Sequence, residues 1–211
     1  APAPYRDSPS VFAAILDDTK GGKWSIAPVG AFTSEQTYYE QTNILVTTFT
    51  TKEGVVELLD YIPAQRGKDM EEIEKAEVHR KVSCKKGNCE VEVVFQPRFD
   101  YARGETALSL TEKGVAVDHE GKRKGELVSS GEYVIQDNTA RSILWLQEGE
   151  SSYLAFHYHE PTSKDQEDAH YEEELRITED FWRTWVHRCD LKSCPVSGPW
   201  HDLVVRSSLV L

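Results

Sequence analysis

His157 and His159, in Phe156-His157-Tyr158-His159-Glu160, are side chains that could bind a metal ion together. Side chains alternate along a strand, so both imidazoles would leave one face of it, a geometry that can seat a cation. No third ligand stands beside them in the chain, and a surface pair at a strand end before Pro161 explains them as well. The four cysteines fall as two Cys-x4-Cys pairs, Cys84 with Cys89 and Cys189 with Cys194. Two local disulfides, free thiols and a four-cysteine zinc site all fit that count, although structural zinc more often uses tighter spacings. The expectation is therefore no metal and no cofactor. No serine stands in Gly-x-Ser-x-Gly, and the chain lacks both Gly-x-Gly-x-x-Gly and a phosphate loop ending in Gly-Lys-Ser/Thr. With 36 acidic residues, no pair can be singled out as a glycosidase acid and base. Trp24, Tyr38, Tyr39, Trp145, Tyr153 and Trp182 could form a sugar platform, but the expectation for each is a place in a core.

The elements that would carry these residues are mostly strands. Residues 43–51 and 55–62 flank Lys52-Glu53-Gly54, which reads as a hairpin connection. Residues 78–84 and 89–95 flank Cys84-Lys85-Lys86-Gly87-Asn88-Cys89, which reads as a hairpin tip with Gly87-Asn88 as its turn. Val91, Val93 and Phe95 alternate with Glu90 and Glu92, the period of a strand with one face on a core. Further strands are read at residues 108–110, 114–117, 131–135, 140–147 and 152–159. Glu120-Gly121, Lys124-Gly125 and Glu148-Gly149 are read as turns between them. Residues 67–75 are charged and read as a solvated loop. Many short strands with little helical periodicity predict an all-β antiparallel β-sandwich. From Thr178, an N-cap type of residue followed by Glu179 and Asp180, the period changes. Phe181, Trp182, Trp185 and Val186 give one apolar helical face, and a second helical pattern runs from Pro199 through Leu203 and Val204 to Leu211. That last pattern stops without a cap, so a continuation is expected beyond it.

Bulk properties narrow the classes of function. A net charge of −12 with scattered basic residues excludes a phosphate backbone or an anionic lipid surface as a partner. No apolar run approaches the ~20 residues that cross a bilayer. No Asn-x-Ser/Thr acceptor occurs, so a soluble chain is expected, in the cytoplasm rather than secreted.

Several stretches together carry a resemblance. Asp7-Ser8-Pro9-Ser10-Val11-Phe12-Ala13-Ala14-Ile15-Leu16-Asp17 resembles the DSPSVFAALLD segment near the start of bacterial and archaeal family 15 glycoside hydrolases. Trp24-Ser25-Ile26-Ala27-Pro28-Val29-Gly30 and Thr42-Asn43-Ile44-Leu45-Val46-Thr47-Thr48-Phe49 follow in the family's order, and Pro97-Arg98-Phe99-Asp100-Tyr101-Ala102-Arg103 is similar to its PRFDYGR motif. Phe181-Trp182-Arg183, Arg188-Cys189, Gly198-Pro199-Trp200 and Val205-Arg206-Ser207-Ser208-Leu209 look like its linker helix and first barrel helix. Where that family usually has a hairpin before the DSPS segment, this sequence reads Ala1-Pro2-Ala3-Pro4-Tyr5-Arg6, and neither Cys-x4-Cys pair belongs to the shared motifs.

The resemblance implies a β-sandwich (supersandwich) at residues 1–176, a linker helix and loop at 177–198, and the start of a truncated (α/α)6 catalytic barrel at 199–211. The parent would be a glucoamylase- or trehalase-like hydrolase cleaving α-glucosidic bonds in glucans or trehalose with inversion. Its acid and base would lie on the barrel, so no catalytic residue is expected in this chain. The domain's implied role is to stabilise that barrel and border its cleft; a stand-alone carbohydrate-binding or assembly module is the alternative. Asp7, Arg98, Asp100 and Tyr101 are the candidates for bordering the cleft. Against that stands an Arg98–Asp100 pair with a packed Phe99 fixing a long loop, and Asp7-Ser8-Pro9 as a simple turn or helix start. The implied partners are the barrel and the parent's substrate. The apolar faces at Trp182/Trp185 and Leu203/Leu211 predict self-association as homo-oligomers when left uncovered.

Overall fold

The computed structural model describes residues 8–64, 77–158, 168–186 and 198–210. Asp7, the loop at 67–75, His159, Cys189, Cys194 and Leu211 lie outside the described residues. The strands are β1 (Lys23–Pro28), β2 (Thr33–Tyr38), β3 (Leu45–Thr50), β4 (Gly54–Tyr61), β5 (Glu77–Gln96), β6 (Thr106–Thr111), β7 (Gly114–His119), β8 (Lys122–Ser129), β9 (Val134–Gln136), β10 (Thr139–Gln147) and β11 (Ser151–Tyr158). Two helices follow, α1 (Asp168–Val186) and α2 (His201–Val210). Every strand pair is antiparallel. The larger layer has the order β2-β3-β4-β5-β11-β8-β7-β6; in the smaller one β1 and β10 flank β5, and β9 extends β10. The expected β-sandwich followed by helices is what the chain forms.

One strand, β5, serves both layers. Its first half pairs with β4 and β11, and its second half, Asn88–Gln96, pairs with β1 and β10. The Cys84–Cys89 stretch is therefore not the tip of a paired hairpin. Both edges of each half are already occupied by other strands, so the two halves cannot pair with each other. They lie in facing layers instead: Phe95 is 5.6 Å from Phe156, whose register partner is Val78. Gly87 permits the bend, with φ +73° and a Cβ position that would run into the Glu53 carbonyl. Its amide donates to the Glu148 carboxylate at 2.9 Å.

Cys84 and Cys89 face one another across this bend as free, buried thiols with Sγ atoms 2.9 Å apart. Burial first, then the neighbouring Cys84, pushes the Cys89 thiol up to about 12. Since the thiolate is the nucleophile, iodoacetamide at pH 8 should modify Cys89 at least ~100-fold more slowly in the native chain than in urea. Peptide mass mapping over time checks this; equal rates in both solvents would mean that the site is open.

Side-chain alternation assigns the two faces of the larger layer. From β4, Val56 and Leu58 join the inter-layer core, while Leu59 and Tyr61 face the other way and meet Leu175 of α1. From β11, Leu154 and Phe156 point into the sandwich, and Tyr153 and Ala155 meet Tyr171 of α1. A strand buried on both faces reads as a nearly continuous apolar run, which Tyr153-Leu154-Ala155-Phe156 is. Phe12, Trp24, Phe95 and Phe156 form an aromatic cluster with tilted and edge-on rings 5.6–6.4 Å apart.

Helix α1 begins at Asp168 rather than at Thr178, so the helix starts inside the residues assigned to the sandwich. Thr178 is not a cap: it is fully buried mid-helix, donates to the Glu174 carbonyl at 2.7 Å and accepts from the Ala64 amide at 3.0 Å. Its short apolar face of Tyr171, Leu175 and Thr178 is hidden among acids in the sequence. Among the aromatics expected in a core, Tyr153 is buried and Trp24 packs against the core, but Trp145 is 73% exposed. Trp145 falls on the outer face of β10 because Leu144 and Leu146 on either side of it point inward. Tyr38 and Tyr39 are exposed as well.

Candidate functional site

The two motifs that carry the resemblance at either end of the first hundred residues meet in space. The Arg98 amide donates to the Val11 carbonyl at 2.9 Å, and the Tyr101 amide to the Ser10 carbonyl at 3.2 Å. Between them Asp100 (φ 49°), Tyr101 (φ 55°) and Ala102 (φ 62°) are all left-handed. Each such non-glycine residue costs about 1–2 kcal/mol. Strain of this kind persists only where the surroundings dictate it, and it concentrates at ligand and switch regions. Here Phe99 anchors the turn, buried with its ring 5.6 Å from His119 and 5.7 Å from Tyr158.

The expected Arg98–Asp100 pair does not form. Arg98 donates from Nη1 to the carbonyls of Pro97 and Asn138 at 2.9 and 3.0 Å, and burial lowers its pKa from the ordinary value. Asp100 faces Arg103 instead, at 3.8 Å, with Arg103 also over the Tyr101 ring. The left-handed turn causes this, because it swings Asp100 away from the preceding arginine. Asp100 and Tyr101 are left partly exposed, able to meet a surface or a ligand.

A second contact zone joins α2 to the strand edge. Arg206 donates to the Thr42 carbonyl at 2.8 Å and to Asn43 Oδ1 at 2.6 Å, and its guanidinium lies 3.6 Å from the centre of the Tyr38 ring. Asn43 in turn donates to the Leu209 carbonyl at 2.7 Å, satisfying a carbonyl in the last turn of the helix. Leu209 is buried here, whereas Trp200, Leu203 and Val204 are exposed.

The third arrangement was not expected from the sequence. His157 is the register partner of Glu77 across β11 and β5, and His79 follows two residues along β5, so all three share the face under α1. Glu77 Oε2 is 3.1 Å from His79 Nε2, and Glu77 Oε1 is 3.2 Å from His157 Nδ1. The side chains of His79, His157 and Glu77 are 1%, 2% and 10% exposed. Glu174 of α1 reaches His79 Nδ1 at 3.4 Å, and the rings of Tyr61 and Tyr171 close over His79 at 5.5 and 5.3 Å. Burial alone would raise the Glu77 pKa; contact with His157 and His79 outweighs it and holds the carboxyl well below the usual carboxylate range. His157 is thus not a surface residue: it is buried on the face of β11 whose Tyr153 and Ala155 meet α1. The signal that could have been read is Glu77-Val78-His79, a period-two pair of the same kind as His157 and His159.

Residues 1–167 match the family described as Trehalase-like, N-terminal. Over 99% of its length the chain is 32% identical to a trehalase of Thermoplasma acidophilum, covering 35% of that protein. It is 26% identical to a trehalase of Mycobacterium tuberculosis, again over 99% of the chain and covering 33% of that protein. The chain thus spans about a third of the length of these curated relatives. Among solved structures it is similar to a putative kojibiose phosphorylase from human microbiome, at TM-score 0.43 and 8% identity, over 89% of this chain and 27% of that one. With its β-sandwich and a match over residues 1–167, the chain belongs to the trehalase-like N-terminal family of glycoside hydrolase-like proteins.

Proposed function

We propose that the chain is the non-catalytic N-terminal domain of an inverting glycoside hydrolase of the family 15 kind, acting on trehalose or a related α-glucoside. In this reading α1 is the linker helix and α2 the first helix of an (α/α)6 barrel that carries the acid and base. Such a pair stands about 6.5–9.5 Å apart, with water attacking from the far side of the sugar. The sandwich braces the barrel, and the turn at Asp100 and Tyr101 borders the cleft. The observation that carries this is the clamp on α2: Arg206 and Asn43 fix one side of the helix while Trp200, Leu203 and Val204 stay uncovered for further helices. Left bare, the same face would drive copies of the chain together.

A carbohydrate-binding module is the second reading, favoured by Trp145. This indole stands 73% exposed at a groove of about 900 Å³ whose other walls include Asn88, Glu90, Gln147 and Glu150. An aromatic face with polar neighbours suits a sugar ring. Calorimetric titration with trehalose and maltotriose, beside a hydrolysis assay on the same preparation, separates the readings. Silence in both is the expected result. Binding that Trp145→Ala abolishes would establish the module instead, and hydrolysis surviving repurification would overturn the non-catalytic assignment.

A further inference from the structure

We propose that Glu77, His79 and His157 form a binding site for one divalent cation of the zinc class, which fastens α1 to the larger layer. Two imidazoles and a carboxylate are a donor set that zinc takes, with bonds of about 2.0–2.2 Å. Donors at that radius around a tetrahedral ion stand about 3.3–3.6 Å from one another. Glu77 Oε2 stands 3.1 Å from His79 Nε2 and Glu77 Oε1 stands 3.2 Å from His157 Nδ1, and one donor atom from each residue lies within 4.8 Å of the others, so small side-chain rotations bring one oxygen and two nitrogens to that spacing. A water would take the fourth position.

Two further observations point to a ligand rather than to a self-contained ion-pair cluster. First, neither ring nitrogen of His157 has a hydrogen-bond partner among the described residues, although the ring is almost completely buried. Its Nδ1 stands 3.2 Å from Glu77 Oε1 without the alignment of a hydrogen bond. A buried imidazole left in that state costs free energy, and a cation on one of its nitrogens removes part of that cost. Second, Glu174 Oε2 stands 3.4 Å from the far nitrogen of His79, Nδ1, a charge contact short of hydrogen-bond alignment that a slight turn of either side chain would close. A carboxylate behind a ligating histidine fixes its tautomer and raises its basicity, the usual outer support of a zinc ligand. Because Glu174 comes from α1 and the three ligands come from β5 and β11, ion binding and helix docking are coupled.

The probe is Zn2+, with Co2+ as a spectroscopic substitute. After chelator treatment, the wild-type chain is titrated while stoichiometry, thermal midpoint and the Co2+ spectrum are followed. One ion per chain, a raised midpoint and visible bands without thiolate-to-metal absorption are expected. Glu77→Gln should abolish stoichiometric binding, and Glu174→Gln should weaken it about 10–100-fold while far-UV circular dichroism is unchanged. Substoichiometric binding by the wild type overturns the site, since that measurement needs no variant to fold. A thiolate band, placing the ion on cysteine, overturns it as well, and so does wild-type affinity in both glutamine variants.

Discussion

Replacing Phe95 with alanine is expected to lower the unfolding free energy by about 3–5 kcal/mol, the range for removing a fully buried aromatic ring. Phe95 has no exposed surface, and its ring lies within 6.0 Å of those of Phe12, Trp24 and Phe156. Its neighbours are held from three directions: Phe12 by the N-terminal segment, Trp24 by β1 and Phe156 by β11. None can collapse into the vacated space without disturbing a ladder, so the cavity term stays near its full value. Domains of this kind have about 5–15 kcal/mol in total, so the variant would fold with a reduced margin. Urea unfolding should show a lower midpoint at unchanged slope. A loss below about 1 kcal/mol would mean that the layers close over the gap.

Arg80→Ala should cost a similar amount through a different cause. Arg80 grips Asp60 with two hydrogen bonds, Nε to Oδ1 at 2.6 Å and Nη2 to Oδ2 at 3.1 Å. Its Nη1 donates to the Trp24 carbonyl at 2.6 Å, and the guanidinium lies 4.9 Å from the centre of the Trp24 ring. The two side chains are 14% and 22% exposed. Truncating Arg80 leaves the half-buried Asp60 carboxylate without its cation, which costs up to about 3–5 kcal/mol. Arg80→Lys should recover little, because a point charge cannot satisfy both carboxylate oxygens, the carbonyl and the indole. The double change Arg80→Met with Asp60→Leu should recover most of the loss, since no orphaned charge then remains. Chemical denaturation of the four proteins tests this; a double variant as weak as Arg80→Ala would contradict it.

Much of the sandwich could be read from residue patterns, and the failures have separate physical causes. The β3–β4 hairpin, β10 and β11 follow from alternation and turn residues. β2 was missed because its six residues, Thr33–Tyr38, are all exposed and offer no apolar face; pairing with β3 alone shapes it. β8 was missed because Lys124-Gly125 reads as a turn. Gly125 is instead required inside the strand, where a Cβ would stand 2.6 Å from the His157 carbonyl oxygen and 3.0 Å from the Phe156 ring. The neighbouring Glu120-Gly121 is a true turn, with both residues at positive φ. Helix α1 started earlier than read because its apolar face is narrow. The turn at Asp100 and Tyr101 could be nominated from its motif, but its left-handed backbone and the Arg103 partner of Asp100 depend on what packs around Phe99. The Glu77, His79 and His157 arrangement was legible only as separate period-two pairs, Glu77 with His79 and His157 with His159. It exists only through the register of β5 against β11, which no local pattern encodes.

A strand that is a full member of two layers also governs how the domain responds to load. In a sandwich whose layers are joined only by loops, one sheet can slide over the other at small cost. Here such sliding would have to stretch or break β5, which carries ladder hydrogen bonds on both sides of its bend. Neither layer can melt first, because losing β5 removes the partner of β1 and β10 as well as that of β4 and β11. Force applied where α1 and α2 rest on the larger layer therefore reaches the smaller layer through covalent bonds rather than through side-chain friction. The domain behaves as a stiff bracket.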